Sequence, residues 1–240
     1  MTTKATHIDY HDGNTICKGI YFTPENSREH LPVVLICHAW DGLVQEVKDK
    51  AIKLAESGYI AFAIDVYGNG KTLTDMADMM PTVAPFMADR KVLLKRLRAA
   101  VDAAKIIPGA DSSKIAAMGY CFGGLCALDL ARGGHNDIQS VISFHGSLLP
   151  NGIDTPHTIP AKILAIHGHD DPMVPPEQVA AFQQEMTDKK ADWQFIAYGH
   201  TVHSFTRHDA NNPDLGTVYN ETADRRSWLT MLNFLTETLQ

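Results

Sequence analysis

The chain has 240 residues, 45% of them hydrophobic, and carries 28 acidic against 21 basic residues for a net charge of −7. That balance argues against nucleic acid or an anionic membrane as partner, and the length suits one α/β domain over 1–240 with a single large core. The opening from Met1 to Asp12 is polar, no stretch is long and apolar enough to span a bilayer, and Cys17, Cys37, Cys121 and Cys126 lie at no zinc-like spacing, so a cytoplasmic protein with reduced thiols is expected.

Residues 6–22 alternate weakly around Gly13-Asn14 and predict an antiparallel hairpin at a sheet edge; 24–30 is a polar loop. The unbroken apolar run 32–37 predicts a strand covered on both faces. Next comes a helix with Val47, Ala51, Leu54 and Ala55 on one face and Gly58 as its stop, then a buried strand over 59–66. Residues 67–90 contain Gly68, Gly70, Pro81 and Pro85 among four methionines (Met76, Met79, Met80, Met87), and are expected to form an irregular insertion, a candidate lid over a pocket. A helix over 91–107, a strand over 114–118 and a helix over 125–131 follow. Strands at 138–144 and 162–167, a helix over 177–186, a last strand at 193–198 and a closing helix carrying Trp228, Leu232, Leu235 and Leu239 complete the chain. The alternation predicts a mostly parallel, doubly wound sheet with an antiparallel N-terminal edge, whose ligands bind beyond the carboxyl ends of the strands.

At one such end the chain reads Gly119-Tyr120-Cys121-Phe122-Gly123-Gly124. A strand that turns directly into a helix strains its middle residue, and large flanking side chains would collide there, so glycine is needed on both sides. The bend aims Cys121 at a helix N-terminus, whose free N–H groups and dipole favour a thiolate, the reactive form. Two strands later comes Gly168-His169-Asp170-Asp171-Pro172-Met173-Val174-Pro175, and after the next strand His200-Thr201-Val202-His203-Ser204-Phe205. Nucleophile, acid and histidine, each at the end of its own strand, are the parts that let an imidazole take the thiol proton while a carboxylate steadies the imidazolium.

Gly-Tyr-Cys-Phe-Gly-Gly at 119–124, Gly-His-Asp-Asp-Pro-Met-Val-Pro at 168–175, His-Ser-Phe at 203–205 and the segment from Tyr219-Asn220 to Trp228 together resemble the dienelactone hydrolase family, the cysteine branch of the α/β-hydrolase fold. The resemblance runs over roughly 30–240 and implies Cys121 as nucleophile, Asp171 as acid in preference to Asp170, and His203 as base in preference to His200. It implies an oxyanion hole from the N–H groups of Phe122 and Trp40, and substrate contacts from Arg207 and from His145 after the 138–144 strand. Two features depart from the family. Ala39 stands where a glutamate precedes the oxyanion donor, which favours a resting Cys121–His203 ion pair. A second carboxylate-binding arginine would fall near Met79, with Arg90 the nearest alternative. The histidine pairs 167/169 and 200/203 lack convergent partners, so no metal is expected, and ester cleavage calls for no cofactor. The expected function is hydrolysis of small carboxylic esters or lactones through a cysteine thioester, by a monomer or weak homodimer; the alternative is a hydrolase-fold protein that binds a ligand or partner without turnover.

Overall fold

The polar–apolar alternation around Gly13-Asn14 closes as expected: β1 (Thr3–Asp12) pairs antiparallel with β2 (Thr15–Pro24) in a computed structural model that describes residues 2–25, 30–153 and 158–239. Of the polar loop at 24–30, residues 26–29 lie outside the described residues. The apolar runs become β3 (Leu31–Cys37), β4 (Ile60–Ile64), β5 (Ala110–Tyr120), β6 (Ser140–Phe144) and β7 (Lys162–Gly168), with β8 (Trp193–Tyr198) half-buried at the far edge. They form one sheet in the order β1-β2-β4-β3-β5-β6-β7-β8. The pairings of β1 with β2 and β2 with β4 are antiparallel; all the others are parallel.

Both faces of the sheet are covered, which is why β3 and β4 are apolar at every position. Val33, Leu35 and Cys37 point to one core, with α2 (Met76–Ala88), α3 (Arg90–Lys105), α4 (Phe122–Arg132) and α5 (Pro176–Asp188) supplying its other side. Val34 and Ile36 point to the second core, closed by α1 (Gln45–Glu56) and α6 (Glu221–Leu239). On α1 the buried residues are Val47, Ala51, Leu54 and Ala55, the face read from the sequence.

Residues 67–90 depart from expectation. The stretch is not irregular throughout: 76–88 is helical despite two internal prolines. Asp75 caps it by accepting from the Ala77 N–H, and Met79, Val83 and Phe86 bury one face. Pro81 and Pro85 lie on the solvent side, where carbonyls deprived of their helical partner are hydrated. The strand β8 is also not the last, because β9 (Asn211–Asn212) and β10 (Thr217–Val218) form a two-residue antiparallel ladder around a short 3₁₀ turn.

Candidate active site

Cys121 ends β5 with φ 54° and ψ −117°, a conformation that L-residues rarely hold. The glycines around it are there for space. A Cβ on Gly119 would run into the Gly123 backbone, one on Gly123 into the carbonyls of Cys37 and His38, and one on Gly124 into Ser143 Oγ and the Gly146 Cα. The bend is held by main-chain bonds: the Cys121 N–H donates to the Phe144 carbonyl at 3.1 Å, and the Cys121 carbonyl accepts from Gly124 and Leu125. Cys121 is partly exposed while the other three cysteines are buried. Burial pushes the Cys17 thiol up to about 11, Cys37 up to about 12, and Cys126 well above its ordinary value, which leaves those three thiols protonated and inert.

Asp171 and His203 reach the same place from the loops that follow β7 and β8. Asp171 Oδ2 accepts from His203 Nδ1 at 2.7 Å, and Asp171 Oδ1 accepts from the Met173 N–H at 2.8 Å. The Asp171 side chain is fully buried, whereas Asp170 faces solvent and His200 is fully exposed, with Asp170 4.0 Å away. Backbone bonds fix His203 on both sides: its N–H donates to the Gly216 carbonyl and its carbonyl accepts from the Val218 N–H. Gly216, at φ 69°, packs against the Pro172 ring so closely that a Cβ would clash, which binds the histidine loop to the aspartate turn. The Asp171 contact sets the imidazole tautomer and leaves Nε2, buried and without a hydrogen bond, for the thiol. Burial works against the His203 imidazolium, but Cys121 and Asp171 outweigh it and raise the group to about 10.

The loop after β3 lies across the elbow, and two side chains that the sequence did not single out hold it. His38 Nε2 accepts from the Val66 N–H at 3.1 Å, so its Nδ1 carries the proton and donates to the Ala39 carbonyl at 2.6 Å. Burial keeps this ring neutral. The Tyr67 hydroxyl donates to the Trp40 carbonyl at 2.7 Å, and the Tyr67 ring stacks on Phe122 at 6.1 Å. Tyr67 therefore touches both residues named for the oxyanion hole.

A cleft of about 360 Å³ opens over Cys121, lined in part by Ala39, Trp40, Met76, Met79, His145 and Arg207. The first turn of α2 thus forms one wall. His145, at φ 39°, is buried; its Nε2 meets Thr206 Oγ1 at 2.9 Å, and its ring lies edge-on to His203, with centroids 5.0 Å apart. Burial and the neighbouring His203 hold His145 well below the usual histidine range, hence neutral. Arg207 lines the cleft but already has partners: Nη1 donates to Asp41 Oδ2 at 2.6 Å and Nε to Asp209 Oδ1 at 2.7 Å. Arg90 is turned away into the core and paired with Asp129 at 2.7 Å. Among the described residues no group of three or more His, Cys, Asp or Glu side chains converges as a metal site, and no helix is long and apolar enough to cross a membrane.

A cysteine on a strand-to-helix elbow, with a hydrogen-bonded His–Asp pair carried to it from two later strands of a mostly parallel sheet, is the architecture of an α/β-hydrolase. The model of the dienelactone hydrolase family matches residues 17–239, and the chain belongs to that family of hydrolases. The solved structure of P91, described as a dienelactone hydrolase-like promiscuous phosphotriesterase from metagenomic libraries, is 36% identical, covers 99% of each chain and superposes with a TM-score of 0.95. An uncharacterized Caenorhabditis elegans protein is 42% identical over 62% of this chain and 97% of its own. A Yersinia pestis protein named "Putative carboxymethylenebutenolidase" is 26% identical over 89% of this chain and 81% of its own.

Proposed function

We propose that this hydrolase cleaves small carboxylic esters or lactones through a thioester on Cys121. The observation that carries the reading is the buried 2.7 Å bond from His203 Nδ1 to Asp171, which leaves Nε2 free on the side of the elbow cysteine. The thiolate sulfur adds to the carbonyl carbon, and the N–H groups of Phe122 and Trp40 take the oxyanion. As the tetrahedral adduct collapses, the carbon–oxygen bond to the leaving alkoxide breaks and the His203 imidazolium supplies its proton. Water then attacks the thioester, His203 takes the water proton, and the acid leaves with Cys121 restored as thiolate. Asp171 keeps the imidazole in one tautomer throughout. With Ala39 in place of a carboxylate beside the sulfur, the resting state is a Cys121–His203 ion pair. His145, neutral and on the cleft wall, is a polar contact for the bound substrate.

The name of the Yersinia pestis relative supports a lactone or ester, and the name of P91 makes a phosphotriester worth including in any substrate panel. We infer further a single-domain, cofactor-free protein, a monomer or weak homodimer; its four free cysteines favour a cytoplasmic location. Burst release of p-nitrophenol from p-nitrophenyl acetate, stoichiometric with enzyme and lost in Cys121→Ala, is the expected result. Undiminished turnover in Cys121→Ala would overturn the thioester route, and no turnover in the wild type would favour binding without catalysis.

A further inference from the structure

We propose that the cleft selects uncharged acyl groups and rejects substrates that carry a carboxylate, because its one basic side chain serves as an internal counterion. This rests on the hydrolase reading above. Among the residues lining the cleft, the charged ones are Glu46, Arg207 and Asp209. Arg207 Nη1 bonds Asp41, its Nε bonds Asp209, and Glu46 Oε2 lies 3.8 Å from the same Nε. One cation thus faces three carboxylates, and Asp41 is buried, so this pairing is built into the wall. The other cations nearby are also engaged: Lys50 lies 3.5 Å from Asp224 and donates to the Thr206 carbonyl, and Arg90 is paired with Asp129 in the core. His145 is held neutral against His203.

A substrate carboxylate entering this cleft would lose its water without gaining a free donor cation, and would meet the field of an acidic rim. Met76, Met79 and Leu215 on the walls offer an apolar, adaptable surface instead. Arg207 has a mechanical part as well. It joins Asp41, on the loop that carries Trp40, to the loop that carries His203, so releasing it to a substrate anion would cut the tie between oxyanion donor and base.

The test compares two p-nitrophenyl esters of similar size, the neutral butyrate and the anionic hemisuccinate, in the wild type, Asp209→Asn and Glu46→Gln. The expected wild-type preference in kcat/KM is for the butyrate by roughly tenfold, the effect of one like charge about 10 Å away at an effective dielectric of about 20. The preference should shrink as ionic strength rises from about 0.05 to about 0.5 M, which a purely steric selection would not do. Either variant should raise the hemisuccinate-to-butyrate ratio severalfold. A wild-type preference for the hemisuccinate, or a ratio that neither salt nor the variants move, would overturn the charge rule while leaving the hydrolase reading intact. If neither ester turns over, the hydrolase reading fails, and the charge rule is then decided by Cys121 alkylation. There the iodoacetate-to-iodoacetamide rate ratio should rise in both variants, and an unchanged ratio would refute it.

Discussion

Removing the Tyr67 hydroxyl tests whether the oxyanion donor is held in place by a side chain outside the cleft. Tyr67→Phe keeps the ring stacked on Phe122 and deletes only the 2.7 Å bond to the Trp40 carbonyl. The bond itself is worth about 1 kcal/mol, and losing an oxyanion donor altogether costs about 2.7–4 kcal/mol. A loosened Trp40 peptide lies between these limits, so kcat should fall about 5- to 30-fold, the equivalent of 1–2 kcal/mol. KM should stay within about twofold, because the lost contribution belongs to the transition state. Tm should fall by about 2–4 °C for a chain of this size. Steady-state kinetics on p-nitrophenyl butyrate, set beside thermal melts, separates the two effects. A melt that drops while kcat holds would show that the hydroxyl only supports the fold and would refute the positioning role.

Asp171→Asn keeps the shape of the acid but gives the imidazole the wrong partner, and kcat should drop about 10³–10⁴-fold with the fold retained by circular dichroism. The His203 imidazolium, raised to about 10 in the folded protein from about 6.5 unfolded, stabilises the native state fully below pH of about 6.5, and that contribution is lost as pH rises through about 10. Cys121→Ala removes the largest raising partner, so urea unfolding between pH 7 and 10 should show the wild type losing its advantage later than the variant; superimposable profiles would contradict the ion pair. In the core, Asp129 bonds Arg90 at 2.7 Å, whereas Arg132 keeps Glu185 at 2.7 Å, so Asp129→Ala leaves one buried guanidinium group, that of Arg90, without its counterion and should cost about 3–5 kcal/mol in urea unfolding.

The parallel strands were legible because burial on both faces writes them as unbroken apolar runs, and the elbow because its glycines answer to contacts that leave no room for a Cβ. The preference for Asp171 over Asp170 and for His203 over His200 came from resemblance, and the structure shows its physical basis: the first of each pair is buried against the other, the second is in solvent. Helix α2 was hidden by Pro81 and Pro85, whose cost is small on the solvent side and invisible in a list of residues. The roles of Tyr67 and His38 could not be read either, since each acts through a bond to a backbone group 27 or 28 positions away. Arg207 was legible as a cleft residue, but its pairing with Asp41 depends on a partner 166 positions distant.

The short ladder between Asn211–Asn212 and Thr217–Val218 separates two jobs that many enzymes load onto the same atoms. His203 is held by main-chain bonds to Gly216 and Val218, which any sequence with a glycine at 216 can supply. Asn211, Leu215 and Thr217 meanwhile line the cleft, and so does Asn212, whose Oδ1 accepts from the Leu215 N–H inside the turn. His203 is anchored by the backbone of a segment that also forms part of the wall, so positions 211, 215 and 217 can drift without disturbing that anchor, while Asn212 keeps the turn. That is a route for divergence within a lineage. A library randomised at 211, 215 and 217 should therefore yield altered kcat/KM ratios between esters in folded, active variants, whereas uniform inactivity would show that anchor and wall are not separable.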